Sequence, residues 1–410
     1  MSDTKVYTAL LRLKEPWYIS KIDVDVAAEE AHVFIAHRHE KLPCPACGKP
    51  CNVRDHGEER TWRHLDLWQA KTYLHAAMPR TDCPTHGVLT VPVPWSEPNS
   101  RFTMAFEARA ILAIQAAKTV EGARSIMRIS WDEARGIMER AVSRGLVRRE
   151  EVDMPHLAAD EKSYRKNRHF VTLLMDLDRG CIHGTAPGNG QASLEVLLKG
   201  LTMRQKSAVQ AIAMDMHDPY RAAVESSFPV PRPPIVHDRF HIVSQMNKAL
   251  NDVRNDEARE LAAEGRRDLI GTRQMLLYGQ ENLPAKYQSG FAKLKKTKLK
   301  TPTVHTQKEV LRTLWDCTGV REARKHFRQW ATWCRRSSIP RVIKVVDMIE
   351  SRLEDVISYC RHPISTGPLE GMNSIIMAIR RAGRGYRTAE TFGMAIMFFC
   401  GGLKLIPAQE

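Results

Sequence analysis

The spacing of apolar residues divides the chain into three textures. Over residues 1–40 it alternates with the period of β-strands, at 19–26 and again at 31–36. Residues 41–100 are rich in Cys, His, Pro and Gly, with short β-prone pieces such as 72–76. That is the texture of a small module organised by a metal, and Pro92, Pro94 and Pro98 then read as a linker. From residue 102 the spacing becomes helical: Phe106, Ala110, Ile111 and Ile114 share a face, and a short helix is expected around 120–127. Ser130 with Glu133 forms a capping box for a third helix, whose apolar face is Ile137, Met138, Ala141 and Leu146. Three short helices with a tight turn before the third predict a helix-turn-helix.

Beyond residue 151 the pattern is α/β. Leu157, Ala158 and Ala159 lead into Asp160 as a strand would, and residues 170–177 and 181–185 read as a hairpin turning at Asp178-Arg179-Gly180. Residues 193–201 form an amphipathic helix, 209–214 an apolar strand ending at Asp215, and Ile235-Val236 a short strand ending at Asp238. Residues 240–360 carry no strand signal and read as mostly helical, with Trp315, Trp330 and Trp333 in a core or groove. A further helix starts near Pro368. The apolar stretch at 392–403 is well short of the ~18 residues a membrane span needs.

Charge adds direction. The chain is 410 residues long with a net charge of +15. Residues 1–150 hold 22 Lys/Arg against 19 Asp/Glu, which leaves 40 against 28 for residues 151–410, so +12 of the +15 lies in the second part. Lys293, Lys295, Lys296, Lys298 and Lys300 form one basic run, and Arg321, Arg324, Lys325, Arg328, Arg335 and Arg336 another. Such a balance points to a polyanionic partner, most often nucleic acid. No secretory signal is evident near Met1, so the expected location is cytoplasmic and the nine cysteines read as thiols or metal ligands.

Two constellations carry chemistry. Asp160 and Asp215 follow strands, placing both carboxylates at the rim of a sheet. Glu370 follows Pro368 into the first turn of a helix, where the dipole favours a carboxylate. Three such acids suit a pair of Mg²⁺ or Mn²⁺ ions, which prefer hard oxygen ligands. Asp238 is the rival ligand, because it too follows a strand. The second constellation is Cys44-Pro-Ala-Cys47-Gly48 with Cys83-Pro-Thr-His86-Gly87, two knuckles offering four ligands to a structural, tetrahedral Zn²⁺; Cys51 or His64 are the alternatives to His86.

Four ordered motifs then carry a resemblance. Asp160-Glu161-Lys162-Ser163, Met214-Asp215-Met216-His217-Asp218-Pro219-Tyr220, His237-Asp238-Arg239-Phe240-His241, and Gly367-Pro368-Leu369-Glu370-Gly371-Met372-Asn373, with Arg380-Arg381 and Gly385-Tyr386-Arg387 beyond, resemble the insertion-sequence transposases of the ISL-three family. His86 departs from the Cys usual at that place. The resemblance implies a multidomain α/β protein in three parts: a zinc-binding module at 1–100, a helix-turn-helix DNA-binding domain at 101–150, and a ribonuclease-H-like catalytic domain at 151–410 with a helical insertion at about 242–362. It implies a DDE triad at Asp160, Asp215 and Glu370 that holds Mg²⁺ or Mn²⁺, hydrolyses the phosphodiester at the element's ends and transfers the freed strand to target DNA. Asp238, His241 and Asn373 would orient ligands or phosphate. Lys293, Lys295, Lys296, Lys298, Lys300, Arg380, Arg381, Arg384 and Arg387 would bind DNA. A homodimer or larger assembly on DNA is expected, with no membrane partner. The alternative is a DNA-binding regulator derived from such an enzyme and lacking nuclease activity.

Overall fold

A computed structural model describes residues 7–9, 11–165 and 169–408. The chain divides into two compact units, one of residues 1–149 with 403–410 and one of residues 150–402.

The first unit is built on a six-stranded sheet: β1 (Trp17–Asp25), β2 (Glu30–His37), β3 (Lys41–Pro43), β4 (Pro50–Leu67), β5 (Ala70–Cys83) and β6 (Gly87–Thr90), in the order β1-β2-β5-β4-β3 with β6 on β5. Alternation decides which face is dry. Trp17, Ile19, Val33, Ile35, Trp62, Leu74, Ala76 and Met78 form one core with Val93 and Trp95. Two expectations are corrected here. The β pieces of residues 41–100 are long: β4 has 18 residues and β5 has 14. Register shifts between Val53 and Asp55, His56 and Glu59, and His64 and Leu67 interrupt the alternation that would have advertised them. The proline-marked segment is also no loose linker, because Val91, Val93, Trp95, Ser96 and Ser100 are buried.

Three helices follow: α1 (Met104–Ala117), α2 (Val120–Met127) and α3 (Trp131–Val147). Each begins on a hydroxyl side chain, Thr103, Thr119 and Ser130, and Ser130 makes the capping box with Glu133. The unit's interior contains an ionic cluster. Arg144 pairs with Glu107 at 2.9 Å and with Glu97, and donates to the Leu405 carbonyl. Glu107 also receives Arg140 and, at 2.8 Å, the Ser100 hydroxyl. Arg144 thereby joins α1, α3, the 91–100 segment and the C-terminal tail.

The second unit holds a five-stranded sheet in the order β11-β10-β7-β8-β9. Its strands are β7 (His156–Arg165), β8 (His169–Asp176), β9 (Cys181–Pro187), β10 (Ala211–Met214) and β11 (Ile235–His237). β7, β8 and β9 run antiparallel, whereas β10 is parallel to both β7 and β11. Leu157, Ala159, Ile212, Met214 and Ile235 face a core shared with residues of α4 (Gln191–Lys199) and α6 (Asp218–Ser227), which bracket the short α5 (Met203–Ala208). The expected strand end at Asp160 is corrected: β7 continues to Arg165, because its antiparallel partner β8 outlasts its parallel partner β10.

From α7 (Arg239–Ala263) to Cys360 the described residues contain helices and no strand. This region buries its own core, with Phe327 and Trp330 at its centre and Trp315 at its edge, while Trp333 is 36% exposed. The last helices are α8 (Gly367–Ala382) and α9 (Ala389–Cys400), and α9 packs on β8 and β9. No described helix is long and apolar enough to cross a membrane.

Removing one partner of a buried ion pair leaves the other charged and unpaired. Arg144→Met is therefore expected to destabilise the first unit by about 3 kcal/mol. A shifted urea-unfolding midpoint of the full chain is the check, and an unchanged midpoint contradicts it.

Candidate functional site

Register assembles the acidic site. Ala159 is paired with Met214, and Met214 with His237, so the residues that follow, Asp160, Asp215 and Asp238, stand in one row across three adjacent strands. Leu157, Ala159, Met214 and Ile235 face the core, so period-two alternation sends all three aspartates to the other face, with neighbours about 4.8 Å apart. Asp160 Oδ2 receives Asn373 Nδ2 at 2.7 Å and Lys162 Nζ at 2.9 Å, while its Oδ1 accepts the Glu161 amide at 2.7 Å. Asp215 Oδ2 lies 3.3 Å from His241 Nδ1. Burial raises the Asp215 carboxyl to about 6; His241 opposes that rise, and the neighbouring Asp160, Glu161 and Asp238 add to it. Asp238 is 5% exposed, caps α7 by accepting the Phe240 amide, and accepts the Thr366 hydroxyl.

Asp160, Glu161, Lys162 and Asp215 line a cavity of about 670 Å³ with Asn373, Ser374, Met377, Arg380 and Arg381 of α8. Glu370 is exposed and outside this lining. Its place on α8 is nonetheless defined. Thr366, Glu370 and Asn373 follow the i, i+4, i+7 stripe of one helix face. Thr366 at one end of the stripe holds Asp238, and Asn373 at the other holds Asp160. Sequence reasoning passed over Lys162, Glu161 and Thr366. Strand alternation was the available signal for Lys162, two residues from Asp160. Glu161 reaches Tyr220, and burial, with Asp160 beside it, raises its carboxyl.

The Cys/His knuckles meet in the first unit. Ligand atoms of Cys44, Cys47, Cys83 and His86 all lie within 4.8 Å of one another, the one group of three or more such residues found so close among the described residues. Cys47 and Cys83 sulfurs are 3.8 Å apart, and His86 Nδ1 is 3.8 Å from Cys44 Sγ and 3.6 Å from Cys83 Sγ. A tetrahedron of ~2.3 Å Zn–S bonds has an edge of about 3.8 Å, close to these separations, so the set suits zinc. Gly48 and Gly87 close their turns at φ +72 and +71, conformations a side chain would strain. The Thr85 amide, then His86, pull the Cys83 thiol down to about 6. Cys51 is buried beside the cluster and donates to the Lys49 carbonyl at 3.4 Å. His64 lies apart from it, 2.8 Å from Thr103 Oγ1.

Comparison with known proteins assigns the family. A DDE family model described as "Transposase" matches residues 157–396. A second, for the zinc-finger of transposase IS204/IS1001/IS1096/IS1165, matches residues 41–86, and a third, for the helix-turn-helix domain of transposase family ISL3, matches 91–142. The chain belongs to the ISL3 transposase family. Its relatives include the transposase for insertion sequence element IS1557 of Mycobacterium tuberculosis, 25% identical over 442 residues that cover 100% of this chain and 98% of that protein. The transposase for insertion sequence element IS1001 of Bordetella parapertussis is 24% identical over 369 residues, 89% of this chain and 90% of the relative. The protein is thus a DNA transposase with zinc-ribbon, helix-turn-helix and DDE domains in a mixed α/β architecture with two sheets.

The transposase's basic residues fall into two groups. Lys293, Lys295, Lys296, Lys298 and Lys300 are exposed, as are Arg381, Arg384 and Arg387, and Arg380 joins Arg381 at the acidic cavity. In the second run, Arg324 pairs with Glu354, and Arg335 with Asp347 and Glu350, so intrachain carboxylates already meet part of that charge.

Two outcomes follow. The purified chain should hold one zinc per molecule by elemental analysis; Cys83→Ser should lose it, and His64→Gln should keep it. Burial lowers the His64 pKa from 6.5 to about 4. The folded state thus refuses a proton that the unfolded chain accepts, so this group's stabilising effect is present above pH 6.5 and is lost as pH falls toward 4. The loss amounts to about 3 kcal/mol at 1.36 kcal/mol per pKa unit. Urea titrations at pH 7 and 4.5 should show a steeper decline for wild type than for His64→Gln, and parallel declines would refute this.

Proposed function

We propose that the transposase binds the ends of an insertion sequence and catalyses phosphodiester hydrolysis followed by strand transfer at one acidic site. In this reading Asp160, Asp215 and Glu370 hold two Mg²⁺ or Mn²⁺ ions. The observation that carries it is the aspartate row faced by the Thr366–Glu370–Asn373 stripe. The two ends of the stripe are tied to Asp238 and Asp160, and in this reading Glu370, between them, would turn toward Asp215 when cations bind. The donor set suits hard cations, since it is all carboxylate, and burial, with the neighbouring carboxylates adding to it, already raises Asp215. Two bound ions would supply charge stabilisation for the attacking and leaving oxygens of an in-line displacement.

The chain's own residues do the rest. Asn373 orients the Asp160 carboxylate, and Asp238 anchors α8 through Thr366. Arg380 and Arg381 stand at the cavity where DNA phosphates would enter. Lys162 occupies the Asp160 oxygen that an incoming cation would take, and His241 plays that part for Asp215. The sheet order, three antiparallel strands extended by two parallel ones, supports the ribonuclease-H-like core that the family resemblance suggested. The proposed division is a zinc module over 1–100, a helix-turn-helix over 101–150 and a catalytic domain over 151–410. Two element ends must be joined, so the working form is a homodimer or larger assembly.

A cleavage-and-joining assay on DNA bearing the element's ends is the test. Wild type should cut and join with Mg²⁺ and fail with a chelator. Asp160→Asn, Asp215→Asn and Glu370→Gln should each lower cutting by about 10³-fold, the scale of several kcal/mol of lost charge stabilisation. Binding without cutting by wild type would favour a regulator.

A further inference from the structure

The β4–β5 hairpin ends in a two-residue turn, Trp68-Gln69, between the paired Leu67 and Ala70. Asn, Asp or Gly suits such a turn best, yet Trp68 occupies it at φ +53. Its indole is 91% exposed, the most exposed of the chain's large apolar side chains that are described. Exposure of a single apolar side chain means little by itself, but a Trp held at positive φ, where the turn favours Asn or Gly, marks this position out.

The hairpin tip is fastened to the helix-turn-helix. Arg128, the first of the three residues between α2 and α3, donates to the Gln69 carbonyl at 2.6 Å and lies 3.5 Å from both Asp66 and Glu29. Two residues later Ser130 caps α3, the helix that enters the major groove with its N-terminal end foremost in a helix-turn-helix. Trp68 thus stands beside the DNA-facing end of α3, whose first residue, Trp131, is itself 43% exposed. Asp66 and Gln69 flank the indole and are exposed, so the apolar spot is one side chain wide. A protein partner typically covers roughly 800 Å² on each side, far more than one ring. A single aromatic ring on a narrow hairpin instead matches the wedge that minor-groove binders insert at a base step.

We propose that the β4–β5 tip is a wing of the helix-turn-helix, with Trp68 entering the minor groove next to the major groove occupied by α3. The proposal rests on DNA binding by the helix-turn-helix and adds a second contact with the same duplex. Arg128 fixes the distance between the two contacts, so the wing selects DNA whose minor groove opens at that spacing.

The test uses the full chain and a duplex carrying the inverted repeat that borders the gene. Trp68→Ala should weaken binding about tenfold, the scale of one lost aromatic–base contact, and shorten the hydroxyl-radical footprint on its minor-groove side. Trp68→Phe should retain most of the affinity and the full footprint. Both variants should keep their zinc and wild-type melting temperature, since Trp68 is almost fully exposed. Equal affinity and footprint for wild type and Trp68→Ala overturn the wing. So does a Trp68→Ala chain that binds DNA normally but sediments as a smaller assembly, which would assign the ring to a second copy. Failure of wild type to bind any duplex overturns the helix-turn-helix reading, and the wing with it.

Discussion

Like charges on adjacent strands repel, and β7, β10 and β11 carry three of them in one row. Asp160, Asp215 and Asp238 are placed there by pairing register, which fixes backbones about 4.8 Å apart whatever the side chains prefer. The local solutions all bring positive charge or hydrogen-bond donors to the row: Lys162 and Asn373 to Asp160, His241 to Asp215, Thr366 to Asp238. Two of these four donors, Thr366 and Asn373, come from the start of α8, the helix bearing Glu370. Backbone pairing thus sets the row of aspartates, and side-chain bonds from α8 lie across it.

The N-terminal unit solves a different problem. The long strands β4 and β5, at the middle of the six-stranded sheet, turn polar residues to one side and a dry core to the other. The Cys44–His86 cluster brings together the chain around β3 and the two ends of β5 and β6, and the Arg144 cluster ties the helices to the following tail. Both devices are polar. Each ties together segments far apart in the chain of this DNA-binding unit.

Much of this was legible in the residues. The knuckles showed their ligands and their turn glycines, Ser130 and Glu133 announced α3, and the alternation around Asp160 and Asp215 marked strands. Long-range register was invisible. Nothing local says that β7 outlives β10, that β4 runs through three irregularities, or that Thr366 and Asn373 reach opposite ends of the aspartate row. Lys162 was readable only after β7 was known to continue past Asp160. His64 looked like a candidate zinc ligand by composition, whereas burial and Thr103 give it a structural place.

The central claim is that three carboxylates share a pair of cations. Electron paramagnetic resonance of the full chain titrated with Mn²⁺ tests it most directly. The account predicts two ions per chain with the exchange-coupled spectrum of a pair about 4 Å apart, lost in Glu370→Gln. A single isolated ion, or a coupled pair that persists without the Glu370 carboxylate, would contradict it.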